Sequence, residues 1–163
     1  MILKSSRLTL SKIKESSIHK FDEVNFSYNV MKYITGHALT KEEAIERYLR
    51  FTHEPYYGNY FVQDTETREI VGLAKLTQEG EGIVEIGYSL FEKHWGKGYA
   101  TEIAQTLIDF AITALKPNKI MGIVDSRNPA SIHVLEKVGL QKEGEATEET
   151  GVRVYMFARY VVY

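Results

Sequence analysis

The run Trp95-Gly96-Lys97-Gly98-Tyr99-Ala100-Thr101-Glu102 joins a strand-like stretch, Ile83 to Phe91, to a strongly helical one. No other feature constrains the fold as much. Glycine reaches backbone conformations closed to other residues and lets a ligand approach the main chain. The first N–H groups of a helix have no intrahelical partner, and the helix dipole favours negative charge beside them. Strand, glycine loop and helix in that order make either a phosphate-binding unit or an ordinary glycine-rich turn. The loop is not a Walker A sequence, and it lacks the third glycine of the dinucleotide fingerprint.

Reading outward, Arg7 to Ile13 alternates apolar and polar residues as a strand does, and Glu15 to Asn25 reads as a weak amphipathic helix. Thr40-Lys41-Glu42-Glu43 is a capping box, which predicts a helix to about His53 with Ala44, Ile45, Tyr48 and Leu49 inward. Tyr60-Phe61-Val62 and Ile70 to Ala74 read as strands across a polar turn. After the glycine loop, Ile103, Ala104, Leu107, Ile108, Ala111, Ala114 and Leu115 recur at helical spacing until Pro117. Lys119 to Val124 reads as a buried strand. Asn128-Pro129 starts another helix, which Gly139 closes. Gly144 to Tyr163 reads as two strands around Gly151. The order is β-α-α-β-β-β-α-β-α-β-β, a mixed α/β chain.

With 163 residues, the chain is expected to form one domain, 1–163. A formal net charge of -2, from 20 Lys+Arg against 22 Asp+Glu, gives no sign of general nucleic-acid affinity. The absence of cysteine excludes disulfides, thiolate catalysis and cysteine–zinc sites. The five histidines show no metal spacing. Neither a signal-peptide pattern nor a run near the roughly 20 apolar residues of a membrane span is present, so a cytoplasmic protein is expected.

Trp95-Gly96-Lys97-Gly98-Tyr99-Ala100 resembles the acetyl-CoA pyrophosphate loop of the GNAT N-acetyltransferase superfamily, Arg/Gln-x-x-Gly-x-Gly/Ala. Gly98 and Ala100 match, and Trp95 stands where Arg or Gln is usual. The longer run to Glu102 resembles the Rim-type ribosomal-protein N-terminal acetyltransferase branch. So do Ser6-Arg7-Leu8-Thr9-Leu10, Glu85-Ile86-Gly87-Tyr88, and Asn128-Pro129-Ala130-Ser131 leading into Val134 to Leu140, although Phe is often found where Leu140 stands. These pieces lie in family order along nearly the whole chain.

The resemblance implies an acyl-CoA N-acyltransferase fold, with acetyl-CoA as cosubstrate and no metal. The backbone of Tyr88, Ser89 and Leu90 would hold the pantetheine arm as an added strand. Residues 95–100 would take the pyrophosphate and Asn128 would face the pantetheine. Lys97 and Lys137 could meet the phosphates or simply be solvated. Homodimers are common in the family.

Two side chains are candidates for chemistry. Alternation puts Glu85, Gly87 and Ser89 on one strand face and Val84, Ile86, Tyr88 and Leu90 on the other. An ammonium has no lone pair, so acetyl transfer needs a base. Glu85 could serve, directly or through water, or it could simply face solvent or pair with a lysine. Ser131, one turn into the helix after Asn128, could protonate the departing thiolate, as the resemblance implies, or be plain helix surface.

The reaction expected is direct transfer of acetyl to a primary amine, a protein N-terminus or a small molecule, with backbone N–H groups polarising the carbonyl. Asn25 to Gly36 and the late hairpin would build the acceptor pocket, with Tyr28, Tyr33, Tyr56 and Tyr57 as lining. His94, just before the loop, could touch a phosphate or simply lie at the surface. The acidic run Glu143, Glu145, Glu148, Glu149 would be a solvated edge or would attract a cationic amine. A CoA-binding module without catalysis is the competing reading, and a nucleotide-phosphate binder a third.

Overall fold

In the computed structural model, which describes residues 2–163, alternating apolar residues build one mixed sheet and helices cover both of its faces. The strands are β1 (Ile2–Lys4), β2 (Leu8–Lys12), β3 (Gly58–Asp64), β4 (Ile70–Gly80), β5 (Ile83–Leu90), β6 (Lys119–Asp125), β7 (Gln141–Thr147) and β8 (Arg153–Tyr160). The helices are α1 (Tyr28–Met31), α2 (Lys41–Tyr48), α3 (Tyr99–Phe110) and α4 (Pro129–Lys137). Sheet order is β1-β2-β3-β4-β5-β6-β8-β7. Only β5 and β6 are parallel neighbours.

The two faces carry different cores. Under α3 and α4 lies an aliphatic cluster that includes Leu10, Val62, Leu76, Val84, Ile86, Ile103, Leu107 and Leu135. Burying each such side chain stabilises the fold by about 1.5–3 kcal/mol. Under α1 and α2 lies an aromatic cluster of Phe21, Phe26, Tyr48, Phe61 and Phe91 with Ile13, Met31 and Leu73. Period two does the sorting: Tyr60 and Val62 enter the first cluster and Phe61 the second.

The expected order holds with local differences. β1 is an addition: three residues are too few to show a period, and Ile2 to Lys4 become a strand by pairing with Thr9 to Ser11. Residues 15–25 form two 3-10 stretches, Glu15–Lys20 and Glu23–Phe26. The local polar side chains compete with a helix there, because Ser17 Oγ accepts from Lys14 N–H and Asp22 from Val24 N–H.

The capping box is formed, with Thr40 and Glu43 bonded reciprocally, but α2 stops at Tyr48. A tertiary contact ends it. The buried Lys12 ammonium takes the carbonyls of Phe51 (2.9 Å) and Tyr57, drawing the chain out of the helix and setting Phe51 at φ 58. α3 runs on through a π-helical turn, Ala111–Leu115, before Pro117.

Candidate active site

β5 and β6 pair only at Ile83, Val84 and Glu85; beyond these the strands part. β5 keeps its antiparallel ladder to β4 as far as Leu90, so the splay opens on one side alone. Backbone groups of β5 that face β6 past Glu85 therefore have no strand partner, the arrangement an extended ligand needs. A cleft of about 160 Å³ passes through the gap. One wall carries Tyr88, Ser131, Leu135 and Gly122; the other carries Glu85, Lys75, Tyr48, Arg47 and Asn59.

Glu85 is 8% exposed and receives a hydrogen bond from Lys75 Nζ at 2.8 Å. Burial raises its carboxyl above the ordinary 4.5, and the Lys75 ammonium offsets this only in part. Across the gap, Tyr88 Oη lies 3.0 Å from Ser131 Oγ and also donates to the Ser131 carbonyl at 3.2 Å. Burial pushes the Tyr88 phenol up to about 12, so it stays protonated and able to donate. Ser131 is half-buried in the cleft wall, not plain helix surface.

The glycine loop lies past the end of β5. Trp95 Nε1 donates to the Leu90 carbonyl at 2.9 Å and ties the two together. Gly96 and Gly98 both sit at φ 77, and Gly98 caps α3 in the left-handed conformation. From Gly96 to Thr101 no backbone N–H has a hydrogen-bond partner among the described residues. Bare N–H groups at a helix start, on a chain that glycines leave uncovered, fit an anion such as a pyrophosphate.

Residues 7–141 match the acetyltransferase (GNAT) domain family. The chain belongs to the GNAT acetyltransferase family. Members are acetyl-CoA-dependent N-acyltransferases, and the splayed strands and bare loop match that donor. An uncharacterized N-acetyltransferase, p20 of Bacillus licheniformis, is 39% identical over 57% of this chain and 56% of its own length, so the match spans little more than half of that relative. The spermidine N(1)-acetyltransferase of Vibrio cholerae is 26% identical over 89% of this chain and 85% of its own. Among solved structures, a GNAT-family acetyltransferase from Bacillus anthracis superposes with TM-score 0.86 at 25% identity, covering 98% of each chain. RimL, a ribosomal L7/L12 alpha-N-protein acetyltransferase in complex with coenzyme A, has TM-score 0.82 at 18% identity, covering 99% of this chain and 98% of its own, and shares the fold.

The GNAT fold thus brings Glu85, Tyr88, Ser89 and Ser131 to one cleft, with Leu90 and residues 95–100 at its end. Asn128 caps α4 by accepting from Ser131 N–H at 3.2 Å and is not part of the cleft wall. Tyr99 turns inward, 7% exposed, and donates to Asp64 at 2.7 Å. His94 is only 5% exposed, contrary to expectation; its Nδ1 has no partner among the described residues. Of the four tyrosines expected in the acceptor pocket none lines the cleft. Tyr56 packs on Phe110, Tyr57 joins the aliphatic core, and Tyr48 from α2 takes the place in the wall.

Several site residues were not singled out from the sequence. Arg7 donates through Nε to Glu102 (2.7 Å) and through Nη1 to the Lys97 carbonyl (2.9 Å), and its guanidinium lies 4.6 Å from the Tyr99 ring centroid. A trans peptide points its C=O and N–H in opposite directions. A Lys97 carbonyl held by Arg7 therefore turns the Gly98 N–H away from Arg7, toward the open side of the loop. Burial raises the Glu102 carboxyl, but hydrogen bonds from Ser5 and Arg7 outweigh burial and leave it low. Arg127 is likewise locked on Asp125 (2.7 Å), at the turn from β6 to α4. Lys75 and Arg47 had no motif to mark them; their places follow from strand register and from where α2 ends.

Among the described residues no cluster of His, Asp and Glu is arranged to hold a metal, and no helix is long and apolar enough to cross a membrane.

Proposed function

We propose that this chain, as one domain over residues 1–163, transfers acetyl directly from acetyl-CoA to a primary amine. The observation that carries this reading is the splay of β5 from β6. It joins a protonated Tyr88–Ser131 pair on one wall to the Glu85 carboxylate on the other, and it leads to the bare N–H groups of the glycine loop. The pyrophosphate takes the N–H groups from Gly96 to Ala100, and the pantetheine arm lies along Tyr88, Ser89 and Leu90.

The neutral amine attacks the thioester carbonyl carbon. A C–N bond forms, the C–S bond breaks, and the proton lost by the amine goes to Glu85 directly or through one water. A raised carboxyl pKa makes Glu85 a stronger base than an exposed glutamate. When the Tyr88 hydroxyl turns its hydrogen bond from the Ser131 carbonyl to Ser131 Oγ, the serine hydroxyl is free to donate a hydrogen bond to the departing thiolate.

Release of CoA on a panel of amines tests this. Wild type should turn over at least one acceptor, with kcat/KM rising through an acid limb above pH 4.5. Glu85→Gln should remove that limb and lower kcat/KM by about 100-fold, the lower end of general-base contributions. Acetyl-CoA that raises the melting temperature without turnover of any amine would favour the CoA-binding module. No rise with acetyl-CoA, or an equal rise with ATP, would end the acetyltransferase reading.

A further inference from the structure

The acceptor wall of the cleft is lined by two cations, Arg47 and Lys75, and by one carboxylate, Glu85, with the Glu79 carboxylate beside Glu85 outside the lining. Glu85 is matched by Lys75 at 2.8 Å. Arg47 has no carboxylate partner among the described residues. Its i−4 neighbour Glu43 is held in the capping box by the Thr40 N–H. The Arg47 guanidinium stands over the Tyr48 ring, 5.6 Å from its centroid, where α2 ends, and Tyr48 belongs to the same wall. At the nearby α1 end, Tyr33 lies between Lys32 (5.1 Å) and Arg127 (5.8 Å), and the Arg127 carboxylate partner is already used.

The acids of the late hairpin do not change this balance at the wall. Glu143 is paired with Lys119, and Glu145 with Arg153 and Lys142. Glu148 and Glu149 sit at the hairpin tip and do not line the cleft. A polyamine needs a carboxylate for each ammonium it brings. Here the lining carboxylate, Glu85, is already matched by Lys75, Glu79 stands outside the lining, and the guanidinium of Arg47 is unmatched. Guanidinium binds carboxylate in a planar two-point fork, and like charge at a narrow site excludes cations.

We propose that the acceptor is a small primary amine that also carries a carboxylate, and that Arg47 selects it by binding that carboxylate while the amine points to Glu85. The proposal rests on the acetyltransferase reading above and deepens it.

The test compares CoA release with the proteinogenic amino acids, the same amino acids as carboxamides, and spermidine, each rate referred to the neutral-amine fraction. At least one amino acid should exceed its carboxamide by tenfold or more in kcat/KM, and spermidine should rank below it. Arg47→Gln should raise KM for that amino acid about tenfold and shrink the preference for acid over carboxamide in kcat/KM, and Arg47→Lys should restore part of the loss. Equal rates for acid and amide would overturn the proposal. So would a preference for spermidine, an equal effect of Arg47→Gln on both acceptors, or acetyl-CoA binding with no amino acid acetylated. Those outcomes leave the acetyltransferase reading standing. Failure of acetyl-CoA to bind would remove both.

Discussion

In the proposed acetyltransferase the donor half of the cleft is built from backbone and the acceptor half from side chains. On the donor side the working groups are N–H groups at the start of α3 and along the free edge of β5, and distant contacts hold them in place. Arg7 comes from β2's approach, Asp64 from β3, and Trp95 reaches back to Leu90. A Cβ at Gly72 would lie 2.2 Å from the Ser89 carbonyl, so β4 presses directly on this stretch of β5. On the acceptor side the working groups are the tips of Arg47, Tyr48, Lys75 and Glu85, carried partly by a short helix that follows two 3-10 stretches. A backbone site suits a constant ligand such as CoA. A side-chain site can change its charge by single substitutions, which suits a family whose relatives include a spermidine acetyltransferase.

The halves should come apart under substitution. Phe26 is 1% exposed and packs on Phe21 (6.1 Å), Tyr48 (5.7 Å) and Phe91 (5.7 Å). Phe26→Ala should cost about 3–5 kcal/mol of stability, the usual range for a buried phenylalanine, measured by denaturant unfolding. Because Tyr48 leans on this ring, KM for the acceptor should rise while acetyl-CoA affinity at a permissive temperature stays near wild type. An equal loss of acetyl-CoA binding would show that the halves are not separable.

The donor half was the legible one, for the same physical reason. A backbone site needs glycines, caps and strict periodicity, and each of these leaves a local mark: Gly98, Asn128-Pro129, the apolar stripe of α3. The aliphatic core could be read the same way. Two features were not legible and a third only in part. β1 exists only by pairing with β2, and α2 ends where Lys12 seizes two distant carbonyls; that Glu85 could pair with a lysine was readable, but the choice of Lys75 follows from the β4–β5 register. The acceptor wall depends on the last two, so its residues could not be chosen by pattern, and four tyrosines were expected where only Tyr48 stands. His94 went astray similarly. A histidine amid Lys93 and Lys97 reads as surface, and its burial comes from packing on Tyr99, 6.4 Å between ring centroids.

Within the donor half, backbone conformation should matter more than any side chain. Gly98 sits at φ 77, a region that costs a β-branched residue roughly 1–3 kcal/mol. Gly98→Val should weaken acetyl-CoA binding by tens of fold in calorimetry, and Trp95→Phe only a few fold. Arg7→Gln should fall between, near tenfold, because it releases the Lys97 carbonyl that turns the Gly98 N–H outward. The contrast that decides is acetyl-pantetheine, which has no pyrophosphate. As acyl donor it should be used equally well by wild type and Arg7→Gln. A parallel loss with both donors would mean that Arg7 holds the fold rather than the loop.

The smallest effect concerns His94, which ends the short 3-10 stretch before the loop. Burial, with Lys97 nearby, holds the His94 imidazole below its ordinary 6.5, and Glu69 and Asp64 oppose this weakly. The unfolded chain therefore binds this proton more readily than the folded one. Stability is then fully present above pH 6.5 and is lost as pH falls from there through the lower folded value. One proton sets a ceiling of about 1.4 kcal/mol per pH unit on the slope. Glu85 pulls the other way. Its raised carboxyl keeps a proton that the unfolded chain loses above 4.5, so its contribution fades as pH rises through its folded value. The two slopes partly cancel in wild type. The difference between wild type and His94→Gln, followed by urea unfolding from pH 5 to 8, isolates the histidine because Glu85 is common to both. The variant should lose less stability toward acid, with the curves converging in slope above pH 6.5. Parallel curves across the range would mean that His94 takes up its proton as easily folded as unfolded.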